Sequence, residues 1–381
     1  KSYALTIGVT TGCNFRCEYC YEKVDKHGTL SREVEGKIID YIGKLPSKSS
    51  LSINWYGGEP LLTIDTIYRL SDAIMKITRE KEINYVAGMI TNGYLYSRKI
   101  ALELKKRNCV SLQISLDGDE KTHDERRPLK AGGGTFRQIM ENIRDTCDLI
   151  PINLRINIDK SNIGAFGKLL DELEKYGVLN KLSSITPSPV QASENSPEAI
   201  KEKVFSSEEY APFYFQEIEM ILDRGLNTSF YTSSPSHIYC GALHPNSLVI
   251  DPYGNLYKCW DVYGVESEKV GTLDTGIRLN NISLKWMLFD NLGQEECRDC
   301  ILLPICLGSC PRLSLVEDKF VNGRNHCPPQ KYDIEKYIQL IYKQNIFFDI
   351  IFLRRAMISS IDKFVFYQAQ ARAASQTYGQ K

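Results

Sequence analysis

Three cysteines, Cys13, Cys17 and Cys20, crowd into the stretch "TTGCNFRCEYCYEK" near the start of the chain, with no histidine among them. Thiolates spaced C-x3-C-x2-C can wrap a compact metal centre from one loop, since each need only turn inward by a few residues. A structural zinc site normally takes a fourth Cys or His, which this loop does not obviously provide. An iron-sulfur cluster is normally held by four cysteines, so three would leave one iron open to a substrate or cofactor. Seven more cysteines follow late in the chain, Cys240, Cys259, Cys297, Cys300, Cys306, Cys310 and Cys327, while Cys109 and Cys147 stand alone. Cytosolic thiols are kept reduced, so twelve cysteines in a chain expected inside the cell point to metal or redox chemistry rather than to disulfides.

Composition narrows the partners. Lys plus Arg and Asp plus Glu are both 47, so no global field draws nucleic acid or an acidic membrane face, and a small or peptidic partner is expected. The opening "KSYALTIGVT" reads as a strand and lacks the charged and apolar regions of a signal peptide; no apolar run long enough to span a bilayer follows. Near the end, "YIQLIYKQNIFFDIIFLRR" is interrupted by Lys343, Gln344 and Asp349 and reads as a packed helix. A soluble, cytoplasmic protein without membrane or nucleic-acid contacts is the expectation. At 381 residues, one large domain with one or two smaller modules is expected.

The elements that must position the cysteines alternate. Strand-like segments occur at "YALTIGV", "SLSINWY", "INYVAGMIT", "VSLQISL", "INLRINI" and "LSSITPS", with helical periodicity between most of them, as in "TIYRLSDAIMKITRE" and "KIALELKKR". Such alternation implies an α/β fold of parallel strands joined by right-handed crossovers, either an open doubly wound sheet or a complete or partial barrel. Chemistry in these folds sits at the carboxyl ends of the strands. The cysteine trio follows the first strand, "YGGEP" ends the second, "TNG" the third and "SLDG" the fourth, which places four candidates on one rim.

The trio, with Tyr19 just before its third cysteine, resembles the radical S-adenosylmethionine (radical SAM) superfamily. The resemblance implies a [4Fe-4S] cluster on Cys13, Cys17 and Cys20 whose open iron is chelated by S-adenosylmethionine. "WYGGEP" is similar to the family's GGEP motif, so Gly57, Gly58, Glu59 and Pro60 would receive the methionine ammonium, the glycines allowing close backbone approach. In "SLDG", Ser115 matches a position that contacts the cofactor; the plain reading of Asp117 is an Asp-Gly turn. His123 and Arg127 in "HDERRPLKAGGGTF" match a pattern of the peptide-modifying branch, in which the arginine fork pairs with the methionine carboxylate. The "GGG" run lacks the Lys and spacing of a phosphate loop. Thr135 and Gln138 read instead as a capping box starting the helix "FRQIMENIRDTC", in which Ile139, Ile143 and Cys147 repeat every four residues, so Cys147 reads as core. Cys109, opening a buried strand, reads as core too.

The late cysteines resemble the seven-cysteine pattern C-x9-15-G-x4-C, C-x2-C-x5-C-x3-C, C of SPASM domains, with Gly254 as the glycine. A pair of zinc ribbons would show two C-x2-C knuckles, and these seven cysteines supply one, Cys297 and Cys300. By the family's pattern, Cys297, Cys300, Cys306 and Cys327 would complete one auxiliary [4Fe-4S] cluster, and Cys240, Cys259 and Cys310 would bind another. "SLVIDPYGNLYKC" reads as a hairpin that holds Cys240 near Cys259. Anaerobic sulfatase-maturating enzymes carry a further cysteine six residues after the first of the seven; Asn246 stands there in this chain. Asp261, two residues after Cys259 with Trp260 intervening, lies near the position of an acid/base in that branch.

The resemblance thus implies a partial (β/α)6 TIM-like barrel over 1–230, a cysteine-rich SPASM domain with a β-hairpin over 231–330 and a C-terminal helical segment over 331–381. No winged-helix leader-binding domain is expected ahead of the first strand. The implied function is a maturase installing a thioether or carbon-carbon crosslink in a ribosomally synthesised precursor peptide. It would use three [4Fe-4S] clusters, S-adenosylmethionine and an electron donor such as flavodoxin or ferredoxin. The alternatives are oxidation of Cys or Ser to formylglycine and a non-catalytic, zinc-stapled peptide-binding module.

Overall fold

The computed structural model describes residues 1–20, 22, 28–192, 196–226, 228, 240–290, 295–315 and 327–344. Six parallel strands form its centre: β1 (Ser2–Thr10), β2 (Ser50–Gly57), β3 (Asn84–Thr91), β4 (Cys109–Ser115), β5 (Ile152–Ile158) and β6 (Ser184–Pro189). They lie side by side in chain order. A doubly wound sheet reverses its order at a switch point; this one never does, so the partial-barrel alternative is the one realised. The crossovers are α1 (Arg32–Gly43), α2 (Ile64–Glu80), α3 (Arg98–Lys106), the pair α4 (Glu120–Arg126) and α5 (Phe136–Thr146), and α6 (Phe166–Lys175).

Alternation along the strands explains the layering. In β5, Ile152, Leu154, Ile156 and Ile158 are buried in the main core, whereas Asn153, Arg155 and Asn157 between them are only partly buried. Period-two patterning sends the first set under the helices and the second toward the concave face. The helices answer with stripes such as Ile67, Leu70 and Ile74 of α2.

After β6, α7 (Glu198–Lys203) and α8 (Ser207–Asp223) follow, the latter started by a capping box in which Ser206 and Glu209 bond reciprocally. The expected hairpin forms from β7 (Ser247–Ile250) and β8 (Asn255–Tyr257), antiparallel across the turn 251–254. Asp251 shapes that turn by accepting from the backbone N–H groups of Tyr253 and Asn255. The hairpin is not a separate sheet. β7 pairs in parallel with β1, Ala4 opposite Ser247 through Ile7 opposite Ile250, and β9 (Gly271–Thr272) and β10 (Gly276–Ile277) continue outward, giving one ten-stranded sheet.

Two local expectations are corrected. The capping box of Thr135 and Gln138 does not form: the Thr135 hydroxyl donates to the Arg127 carbonyl and meets His123 Nε2. Asp124 caps α5 in its place, its Oδ1 accepting from Thr135 N at 2.7 Å and Phe136 N at 2.8 Å. Cys147 is the C-cap of α5 and only partly buried, because the helix ends at Thr146; Ile139, Ile143 and Cys109 are buried. The C-terminal segment is helical over 334–344, with Tyr337 and Leu340 buried and Ile338 and Tyr342 exposed. The remainder of that segment, 345–381, and the start of the second unit, 231–239, lie outside the described residues. No helix among the described residues is long and apolar enough to cross a membrane.

Candidate active site

The cysteine loop leaves β1 and is tied down on several sides. Thr11 N donates to Gly28 O, and Gly28 N donates back to the Thr11 hydroxyl. Arg16 N donates to Pro128 O, Lys130 N to Asn14 O, and Asn92 Nδ2 to Asn14 Oδ1 at 2.8 Å. Cys13, Cys17 and Cys20 stand within electrostatic reach of one another. All three thiols are raised, Cys13 to about 11 and Cys20 to about 12, with burial the largest cause. Phe15 N donates to Cys13 Sγ, a bond that favours a ligating thiolate.

Gly57 and Gly58 serve the same loop. A side chain on Gly57 would put its Cβ 2.2 Å from Thr10 O, and one on Gly58 would put it 2.3 Å from Gly12 O. Gly57 also has φ +137°. The glycines therefore let the end of β2 press against the backbone that launches the trio, a reason inside the protein beside the one the sequence suggested. Pro60 begins the short 3-10 turn Pro60–Thr63 and is buried. Glu59 is fully buried and heavily engaged. Its Oε1 accepts from Leu61 N and the Thr91 hydroxyl, and its Oε2 from Asn92 N. Burial pushes its carboxyl up, while these donors hold it down. With two acceptor positions per oxygen, one position on Oε2 remains.

The centre of the rim is a buried network that the sequence only partly disclosed. The Tyr19 hydroxyl donates to Asp117 Oδ2 and accepts from Arg127 Nη1 at 2.6 Å and Asn157 Nδ2 at 3.1 Å. Arg126 reaches Asp159 at 2.8 Å and Asp117 at 3.4 Å, and its guanidinium lies over the Tyr19 ring. Asp117 is thus the hub, whereas Ser115, the candidate the motif favoured, lies buried at the end of β4 to one side of these bonds. Arg126 and Asn157 belong to no motif read from the sequence; the signal available was the doubled arginine in "ERRP" and the polar alternation of "INLRINI". His123 is fully buried and accepts from Asp117 N through Nδ1, which leaves the proton on Nε2 facing Thr135. Burial and the neighbouring arginines hold it well below the ordinary histidine range, so it stays neutral. Arg127 is buried, and its Nε has no hydrogen-bond partner. A buried donor without an acceptor is costly, and the unused half of this fork fits a bound carboxylate.

The late cysteines fall into two places. Cys297, Cys300, Cys306 and Cys327 line one cavity, open in part to solvent. Cys310 lies within electrostatic reach of both Cys240 and Cys259, and all three lie within reach of Asp261. Burial raises the Asp261 carboxyl, and Arg312, 3.8 Å away, and Arg155 oppose this. The Asn246 side chain donates to Ser2 O at the edge of β1. Among the described residues no three Cys, His, Asp or Glu side chains close on a point that a single ion would occupy.

The sequence profile of the Radical SAM superfamily matches residues 7–173. The chain carries a radical SAM domain. Such a domain implies one [4Fe-4S] cluster and S-adenosylmethionine, and its matched span contains the trio, the GGEP motif, Asp117 and Arg127. The chain is similar to the radical SAM cyclopropyl synthase TigE of Paramaledivibacter caminithermalis, 24% identical over 379 residues that cover 90% of this chain and 75% of that protein. It is similar also to a cysteine-type anaerobic sulfatase-maturating enzyme of Clostridium novyi, 22% identical over 89% of this chain and 96% of that one. In fold, the radical SAM domain and the cysteine-rich unit together align with AdoMet-bound anSMEcpe at a TM-score of 0.70 and 16% identity, over 91% of this chain and 99% of the other. Streptococcus suis SuiB bound to precursor peptide SuiA aligns at 0.59 and 17%, over 82% and 72%.

Proposed function

We propose that this chain is a SPASM-type radical SAM maturase that installs a crosslink, thioether or carbon-carbon, in a ribosomally made peptide. The observation that carries the reading is the gathering of Cys297, Cys300, Cys306 and Cys327 around one cavity, apart from the radical SAM domain and from the three-cysteine group. In this reading Cys13, Cys17 and Cys20 hold the radical SAM cluster and the two later groups hold auxiliary clusters. The cluster and S-adenosylmethionine supply, when bound, a 5'-deoxyadenosyl radical able to take a hydrogen atom from an unactivated carbon.

The chain's own residues then bind and orient. Arg127 offers its free Nε to the methionine carboxylate, beside Ser115. The Tyr19 hydroxyl, fixed by Asp117 and Asn157, keeps that guanidinium from swinging away. The carbonyls of Gly57 and Gly58 and the one open position on Glu59 receive the ammonium at the floor built by Pro60. An electron donor of the flavodoxin or ferredoxin type would serve the partly buried trio site. At the three-cysteine site, Asn246 is turned to the β1 edge, so a substrate thiolate, the soft ligand iron favours, fits as the fourth donor. Likeness to a cyclopropyl synthase, to sulfatase maturases and to a peptide-bound fold relative supports a peptide or protein substrate.

A second reading, oxidation of Cys or Ser to formylglycine, is favoured by one observation: Asp261 lies among Cys240, Cys259 and Cys310, where an acid/base could serve. Co-expression with any short Cys-rich or aromatic-rich peptide found to be encoded beside the gene, followed by mass spectrometry, tests both. A crosslink conserves every heavy atom, whereas formylglycine made from Cys loses sulfur. Bound zinc without iron or sulfide would overturn both in favour of a binding module.

A further inference from the structure

Among the described residues the four-cysteine cavity has one charged side chain in its lining. Beside the cysteines it is bounded by Leu302, Leu303, Gly308, Ser309, Pro328 and Lys331. Lys331 Nζ donates to Cys327 Sγ at 3.3 Å. Its position is fixed from both sides. It sits in the 3-10 turn Pro329–Tyr332 that starts two residues after Cys327, with Lys331 N bonded to Pro328 O. The same turn is anchored to α8 of the barrel by Gln330 Nε2, which donates to the Tyr214 hydroxyl at 3.0 Å. The turn that carries Lys331 is thus held in place, and its ammonium meets the Cys327 sulfur.

A four-thiolate [4Fe-4S] centre is a dianion when oxidised and a trianion when reduced. Net charge and hydrogen bonds to the sulfurs set its potential. A cation and N–H donor on one sulfur stabilises the trianion more than the dianion, and so raises the potential. From this contact we infer that Lys331 tunes the four-cysteine cluster to be the acceptor of the electron left over from crosslinking. The inference rests on the reading that these cysteines hold a cluster. In the thioether case the substrate C–H bond breaks and its hydrogen leaves in 5'-deoxyadenosine. The carbon radical then joins a thiolate that has lost its proton, and closing the C–S bond releases one electron. The oxidised cluster takes that electron and becomes singly reduced. Lys331 touches no substrate and is a positioning residue.

Anaerobically reconstituted wild type and the Lys331→Met, Lys331→Gln and Lys331→Arg variants would be titrated potentiometrically by EPR. A Cys297→Ala/Cys300→Ala double variant identifies which signal belongs to this site. The midpoint of that signal is expected to move to more negative potential in Lys331→Met, to move less in Lys331→Gln, which keeps an N–H donor without the charge, and to return toward wild type in Lys331→Arg. The other signals should stay in place. The Gln variant carries the test if the Met variant takes up less iron. An unmoved midpoint in Met and Gln variants with full iron would overturn the inference. A double Cys variant that keeps all its iron would instead overturn the cluster reading beneath it.

Discussion

Arg127 shows how much one side chain can report. It is buried, one nitrogen is held by Tyr19, and another has no partner. Arg127→Lys keeps the charge but loses the planar fork, so calorimetry should show S-adenosylmethionine affinity falling by roughly 1.5–3 kcal/mol, the typical worth of a charged hydrogen bond. Unchanged binding would mean that Arg127 is only a brace for the Tyr19 network. At this scale the sequence spoke through motif matches, which named Tyr19, Glu59 and Arg127 but ranked Ser115 above Asp117. Asp117 became the hub through partners that arrive from 98 residues earlier and 40 residues later in the chain, and spacing within "SLDG" carries no trace of them. The same holds for Glu59, whose motif position was legible while its three internal donors were not.

Elements were the most legible level, because each strand segment is a short apolar or alternating run and each crossover a 3.6-residue stripe; all six barrel strands lie within about two residues of the segments read from the sequence. What failed was local polar choice. Thr135 looked like a helix cap, yet a buried histidine and a carbonyl claimed its hydroxyl, and Asp124, eleven residues upstream, took the role. Two elements yield predictions. Gly58→Ala would drive a methyl group into Gly12 O, displacing the start of the cysteine loop; reconstituted protein should lose iron from the trio site and keep the rest, as Mössbauer counting would show. In α8, burial raises the Glu217 carboxyl to about 8 although Tyr210 donates to it. The folded chain therefore holds that proton more tightly than the unfolded chain, whose carboxyl titrates near ~4.3. Stability from this group is full below the lower value, falls as pH rises between the two, and falls no further above about 8. Glu217→Gln should flatten that slope and leave the variant more stable than wild type at alkaline pH, by denaturation midpoints across the window. Parallel slopes would show that Glu217 is solvated.

For the whole molecule, three [4Fe-4S] centres predict roughly twelve irons per chain. Replacing Cys13, Cys17 and Cys20 together by Ala should remove about a third of them and abolish reductive cleavage of S-adenosylmethionine; cleavage that survives would sink the assignment of the trio. The distribution of the cysteines suggested a barrel followed by a cysteine-rich unit but gave no sign that the hairpin would join the barrel's sheet, since β7 pairs with β1 across most of the chain and nothing in either strand's own pattern names its neighbour. That pairing has a consequence for biosynthesis. Among these strands β1 is made before the others, acquires β2 within some fifty residues, and then presents its other edge as a bare row of N–H and C=O groups until the hairpin has been made. Nascent chains stalled before residue 247 should consequently be sticky, recruiting chaperones or each other along that edge, while chains released after residue 257 should not. An exposed edge of this kind also ties the settling of the first cysteine loop to translation of the hairpin, because the strand that launches that loop gains its second neighbour only when the late cysteines are being added.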